Sequence, residues 1–361
     1  MWDEDAYVDH CAAFGAASSN GVFGRPADAI VSIYRFRGVQ DLIKWVDDYV
    51  FFRYPIQQNP DGSYVYSYDE SLIFSVAERL GWPWSLPKHS PFADVFTYNG
   101  FQWCLSARTV EIAGKKKAKY LARLAPWVVG ASVTKKEVEG AIGMLNHCCL
   151  AVPEGRSRLP SLYRMNAAFT ISGNQFSRHK ITNAALEDVA WWQGKLAEDF
   201  CGQTLFLPPL DESLDIFVDA STSWGIGLIV GGKWCAWKLA EGWKSDGQDI
   251  GWAEMVAVEL AVRHLVAIGA MGVMHLIRSD NKGVIGALDA GRSHSIQQNR
   301  ILREIVSIFN LHRIWAKTLY VNTKDNLADP PSRGIFPDMA DRLEYTFRIP
   351  SHLEPFVQYV T

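Results

Sequence analysis

The sequence predicts an α/β protein with a mostly helical middle and a mixed-sheet C-terminal third. Three observations carry this. The chain has 361 residues, more than one ordinary core accommodates, so two or three domains are expected. Hydrophobic residues make up 48% and charged residues 21%, the balance of a folded chain rather than a disordered one. Residues 114–200 read as successive helices, whereas the last third alternates short β-rich runs with long helical periods.

Taken in order, residues 1–37 are mixed, with a helical apolar pattern in the stretch FGRPADAIVSIYRF. DLIKWVDDYVFFRY, residues 41–54, reads as strand, turn, strand with Asp47 and Asp48 at the bend. Its flanks, Trp45, Val46, Tyr49, Val50, Phe51 and Phe52, predict a bend held by a core. Residues 55–67, rich in Pro, Asn, Asp and Gly, predict a loop. A helix capped near Asp69 should run to Leu80. Residues 94–113 alternate as a hairpin, and a basic helix follows. Thr134 and Glu137 form a capping box that opens the next helix. The adjacent prolines Pro208 and Pro209 mark 201–213 as a linker. Beyond it come three strands, a helix, a strand, two helices and a strand, then a closing acidic segment.

The net charge is −3, which excludes a strongly basic chain but not nucleic-acid binding through a local patch. The six cysteines include no CxxC, so neither a disulfide framework nor a structural zinc is expected. Reduced thiols and an acidic start point to an intracellular setting, cytoplasm or nucleus. No run of 18 apolar residues occurs, so no membrane partner is expected.

The chemistry concentrates in four acids. Asp219 and Asp280 each end a predicted strand, where the carboxyl ends of parallel strands form a crevice. Glu254 shares a helix face with Ala257, Val258, Ala261 and Leu265, so it faces the sheet. Glu259 is expected on the solvated side of that helix. Asp329 follows the last strand. Clustered carboxylates cannot all stay charged in a crevice unpaired. Two divalent ions about 4 Å apart relieve that repulsion and clamp the oxygens of a phosphodiester. All-oxygen ligation selects Mg²⁺ or Mn²⁺.

The motifs DIFVDAS, WAEMVAVELAVRHL, IRSDNKGVIGAL and VNTKDNLADPPSRG resemble the ribonuclease H domain of retroelement polyproteins. The preceding stretch DVAWWQGKLAEDFCG resembles fungal tyrosine-recombinase (DIRS-like) elements. The resemblance implies Asp219, Glu254, Asp280 and Asp329 as catalytic metal ligands, with Asn326, Ser332 and Arg333 also in place. It implies hydrolysis of the RNA strand of an RNA–DNA hybrid. Many relatives carry a loop His before the last acid, where this chain has Asn322, Thr323, Lys324 and Asp325, so slow turnover is expected.

The KWVDD bend resembles the catalytic hairpin of a reverse-transcriptase palm, with Trp45 at the usual Tyr position. AAFGAASSNGVFGRPADAIV, with Phe14, Gly15, Ser18, Ser19 and Phe23, resembles its template-contacting loop, and TYNGFQWCLSARTVEIAGKK the entry to the thumb. The upstream metal-binding Asp is not visible; Asp3, Asp5 and Asp9 lack a preceding apolar strand. Asp47 and Asp48 therefore read as a vestigial polymerase site in a chain without fingers, and no polymerisation is expected from it. The expected division is a partial palm at 1–100, thumb and connection at 101–200, the linker, a ribonuclease H-like domain at 214–334 and an aromatic tail at 335–361. Lys115, Lys116, Lys117, Lys119, Arg123, Lys135 and Lys136 are the expected contacts to a hybrid or to structured RNA; a solvated helix face is the plainer reading. The aromatic tail is expected to pack back on the body or on a partner, and a protein partner could also supply fingers. The rival readings are a non-catalytic or domesticated nucleic-acid-binding protein, and an RNA-directed DNA polymerase whose missing parts come from elsewhere.

Overall fold

The computed structural model describes residues 18–171, 177–206, 208–344 and 347–360. Asp3, Asp5, Asp9, Phe14, Gly15 and Tyr345 lie outside the described residues. The chain divides into two compact units between Tyr98 and Asn99.

The first unit is built on α1 (Ser19–Phe36) and α2 (Glu70–Arg79). Asp69 caps α2 by accepting from the Ser71 amide, as its residue type predicts. Ile30 and Tyr34 of α1 meet Ile73 and Val76 of α2, with Val39, Leu42 and Tyr68. The Tyr34 hydroxyl donates to the Ile73 carbonyl at 2.8 Å and that of Tyr68 to the Phe52 carbonyl at 2.6 Å, which satisfies both tyrosine hydroxyls buried in this core. Strands β1 (Asp41–Trp45) and β2 (Asp48–Phe52) form the predicted hairpin. Residues 55–67, read as a loop, instead hold a second short hairpin of β3 (Pro55–Gln58) and β4 (Tyr64–Tyr66). Its side chains are exposed along both strands, so no alternating pattern marked it. Strand β5 (Val95–Tyr98) ends the unit.

The second unit holds two cores. The first is mostly helical. It comprises β6 (Phe101–Cys104), β7 (Thr109–Ile112), α3 (Gly114–Leu124), β8 (Ser132–Thr134), α4 (Lys135–Cys148), α5 (Pro160–Ile171), β9 (Arg178–Lys180), α6 (Asn183–Ala197) and β10 (Gly202–Thr204). The Thr134–Glu137 capping box is formed in full. Trp192 is fully buried here against Gly155, where no side chain would fit. Cys148 and Cys149 are buried, and loss of hydration pushes both thiols up to about 12, so they are inert packing. The segment 201–213 is more than a linker: β10 pairs antiparallel with β7, and the next strand begins at Leu210.

The second core is a six-stranded mixed sheet in the order β15-β14-β11-β12-β13-β16. Its members are β11 (Leu210–Ala220), β12 (Gly225–Val230), β13 (Lys233–Leu239), β14 (Met274–Ser279), β15 (Trp315–Tyr320) and β16 (Val357–Tyr359). β11, β14 and β15 run parallel, and β12, β13 and β16 add antiparallel edges. Helices α7 (Ile250–Ala267), α8 (Lys282–Ala290), α9 (Ile296–His312) and α10 (Asp329–Ser332) complete it. This is the mixed α/β order of strands and helices expected from the sequence.

One expectation needs correction here, and one open choice is decided. Glu259 is not solvated but 0% exposed. Helix α7 is apolar nearly all round because the sheet covers one face while α9 and residues 347–357 cover the other. Glu259 survives burial by pairing with Arg263 at 2.7 Å and His352 at 3.0 Å. Of the tail, residues 335–344 and 347–360 pack back on the body, one of the two outcomes expected, and extend the domain past 334: β16 is the sixth strand, Ile349 and Leu353 are buried, and Phe336 stacks on Trp234.

A polar joint links the two cores. The Ser157 carbonyl accepts from Asn299 Nδ2 at 2.8 Å and from Nε and Nη2 of Arg303 at 3.1 and 2.9 Å. Arg303 also reaches buried Asp188 at 2.7 Å, which Arg158 approaches at 3.7 Å and the Ser161 hydroxyl hydrogen-bonds.

Candidate active site

Asp219 is the penultimate residue of β11, opposite Gly227 of β12. The β11–β14 register pairs Phe217 with Arg278; carried two places on, it sets Asp219 beside Asp280. Asp249 caps α7 through the Trp252 amide, and the helix then delivers Glu254 from its first turns onto the sheet. One ligand oxygen from each of Asp219, Glu254 and Asp280 lies within 4.8 Å of the others. Among the described residues no other three Asp, Glu, His or Cys side chains converge this closely.

A short segment after β15 holds the trio in place. Asn326 Nδ2 faces the Val218 carbonyl at 3.1 Å, Asp280 Oδ1 at 3.2 Å and Asp219 Oδ1 at 3.4 Å. Its own Oδ1 accepts from the Ala328 amide, so both ends of this buried amide are used. The Ser332 hydroxyl donates to Asp219 Oδ2. Gly227 is what permits this arrangement. A Cβ there would stand 2.3 Å from the Ala328 carbonyl and 2.7 Å from the Ser332 amide. Only a bare backbone lets α10 lie directly on β12.

The electrostatics are those of an unneutralised acid cluster. Burial raises the Asp219 carboxyl to about 7, with Asp280 and Asp329 adding to the rise and Ser332 opposing it. Burial raises Glu254 to about 9, and the charges of Asp219 and Asp280 add to it. Among the described residues Glu254 Oε2 is buried with no hydrogen-bond partner. Buried oxygens left in this state fit a divalent cation, which would satisfy the free oxygen and cancel the repulsion.

The fourth acid stands differently. Asp329 does not join the trio; its Oδ1 accepts from Nε and Nη2 of Arg333 at 2.9 and 2.8 Å. Sequence reasoning named Asn326, Ser332 and Arg333 only by resemblance, and it passed over Gly227. The signal for Gly227 was a glycine at alternate positions, 225 and 227, inside an apolar strand.

The seven basic residues do not form one surface. Lys115, Lys119 and Arg123 are exposed at four-residue spacing on one face of α3. Lys117 turns inward and donates to the carbonyls of Glu198 and Asp199 beyond the end of α6. Lys116 lies half-buried over the Tyr120 ring, Lys135 pairs with Glu139 at 3.8 Å, and Lys136 is exposed.

In the first unit Asp47 and Asp48 are both exposed at the hairpin bend. Trp45 and Val46 do not bury it as expected: Trp45 is 61% exposed. Only one face of the hairpin meets α1 and α2, through Leu42, Tyr49 and Phe51, and the bend projects beyond that contact. Val46 holds a φ of 54°, a strained value for a β-branched residue that the two-residue turn imposes.

No family model and no curated protein matches the chain. Among solved structures it is similar to a foamy viral protease–reverse transcriptase bound to an RNA/DNA hybrid, with 14% identity over 93% of this chain and 42% of that one, and a TM-score of 0.40. Two structures of the foamy viral enzyme with double-stranded DNA give 15% and 12% identity over 84% and 86% of this chain. They are covered over 49% and 60% of their own length, with TM-scores of 0.38 and 0.39. The chain thus spans about half the length of these neighbours.

Proposed function

We propose that the second unit is a divalent-metal-dependent nuclease that cuts the RNA strand of an RNA–DNA hybrid inside the cell. We place it in the C-terminal part of a retroelement reverse transcriptase of the fungal tyrosine-recombinase (DIRS-like) type. The observation that carries this is the convergence of Asp219, Glu254 and Asp280 within 4.8 Å, two of them deeply buried. No cation pairs with any of the three among the described residues, and the buried Glu254 Oε2 has no hydrogen-bond partner.

The trio would hold Mg²⁺ or Mn²⁺, and Asp329 is the nearest candidate for a fourth ligand. When bound, two such ions supply a nucleophile at neutral pH and a clamp on the attacking and leaving oxygens. The protein's own share is positioning. Asn326 fixes the facing edges of Asp219 and Asp280, Ser332 fixes the other Asp219 oxygen, and Gly227 lets both approach. Lys115, Lys119 and Arg123 give a stripe of charge for a backbone read by shape rather than by base. Asp47 and Asp48 are assigned as a vestigial polymerase pair.

The test is cleavage of an end-labelled RNA–DNA hybrid with Mn²⁺ by the parent and by Asp280→Asn. Cleavage by the parent, reduced at least a hundredfold in the variant, is expected. Equal cleavage by both, or none by either, rejects the assignment; hybrid binding that survives with no cleavage would favour a non-catalytic binding protein.

A further inference from the structure

We propose that Arg333 is a latch on the fourth acid: it holds Asp329 away from the trio, so that a second cation is seated more tightly when Arg333 exchanges Asp329 for a nucleic-acid phosphate. The proposal rests on the reading of the trio as a cation site and goes beyond it by naming what controls its loading.

Four observations support it. Asp329 is absent from the convergent group although Asn326 and Ser332, its neighbours on the same segment, both bond to that group. The Asp329 oxygen is engaged by two donors of one guanidinium, across one turn. Pro330 and Pro331 stiffen that turn, so the pair is set by the backbone and not by chance contact. Finally, the Arg333 side chain is 51% exposed while that of Asp329 is 24% exposed. The cation therefore stands at the mouth, where a polyanion can reach it, and the acid stands behind it.

The chemistry of the exchange is balanced in charge and in geometry. A guanidinium fork fits phosphate as well as carboxylate. A half-exposed pair is weak enough to open: such contacts shift an equilibrium by roughly two- to fivefold. Asp329 freed in this way adds a negative ligand as the phosphate arrives, so the charge on the site and the charge on Arg333 are both met.

The experiment is Mn²⁺ binding to the full chain without nucleic acid, read by calorimetry and by the electron paramagnetic resonance of free Mn²⁺. Parent, Arg333→Gln and Arg333→Lys are compared. The first ion is expected to bind alike in all three. The second is expected to bind roughly two- to fivefold more tightly in Arg333→Gln, with Arg333→Lys between, because Lys keeps the charge and loses the fork. A second-ion affinity in both variants equal to or weaker than the parent's overturns the latch while leaving the cation site intact. No Mn²⁺ bound by any of the three overturns both. Should Arg333→Gln fail to fold, Arg333→Lys alone carries the test.

Discussion

At the scale of single residues, the acid cluster makes a prediction that needs no substrate. Asp219 and Glu254 are raised on folding, from ordinary values of 3.8 and 4.5 to about 7 and about 9. A carboxyl raised by folding holds its proton more tightly in the native state. Stability is then full below the unfolded value and is lost as pH rises through the folded one. The metal-free protein should therefore melt progressively lower as pH rises from about 5 to about 9. Millimolar Mn²⁺ should remove most of that fall, and Asp219→Asn should flatten it without metal. A melting temperature that is level over this range in the metal-free parent would contradict the burial of these groups. Gly227 supplies the second test. Gly227→Ala pushes a methyl into backbone atoms of Ala328 and Ser332. We expect a loss of about 1–3 kcal/mol in urea unfolding and a weakened Mn²⁺ site, because α10 must lift and takes Ser332 with it. The convergence of Asp219, Glu254 and Asp280 was legible in the sequence because strand-end and helix-face positions follow from period two and period 3.6, whereas the placement of Asp329 outside the trio was not. Gly227 was not, because its reason lies in a segment a hundred residues away.

At the scale of elements, α7 shows where periodicity misleads. One apolar stripe was enough to orient Glu254 correctly. The same stripe placed Glu259 in solvent, since helical spacing gives no notice that a second layer covers the other face. That layer includes residues 347–357, whose aromatics signalled burial without saying where. The Glu259–Arg263–His352 cluster pins the layer down. Burial of the His352 ring pulls its pKa down, but the hydrogen bond and charge of Glu259, with Glu304, outweigh this and raise it, while Arg263 opposes. A raised His adds stability that is full below about pH 6.5 and fades as pH rises through its folded value. The parent should accordingly lose more stability than His352→Gln between about pH 6 and pH 8. Glu259→Ala, which leaves two cations facing a buried gap, should cost about 3 kcal/mol at neutral pH. Equal pH profiles for parent and His352→Gln would place the ring outside this cluster.

At the scale of the whole molecule, the order of strands and helices within 214–334 was read correctly from the sequence, but the short strands outside it and the seams were not. Prolines at 208 and 209 suggested a linker, yet the chain there enters β10 and then β11. Proline marks where a ladder pauses, not how much surface the flanking elements bury against each other. Limited proteolysis of the full chain is expected to cut first near Tyr98–Asn99 and to leave 99–361 intact; an early cut within 201–213 would show that the two cores of that unit separate easily. Arg303→Ala, which strips two donors from the joint and leaves Asp188 short of a partner, should make 201–213 cleavable. The acceptor at the centre of the joint, however, is a main-chain oxygen. Every amino acid placed at position 157 carries the same carbonyl. Substitution at 157 would therefore leave this contact in place although three donors converge on it, and Ser157→Ala should cost only what the hydroxyl's own bond to the Glu154 carbonyl contributes, about 1 kcal/mol. The connection between the two cores is written in the residues that point at the peptide group and is silent at the residue that owns it.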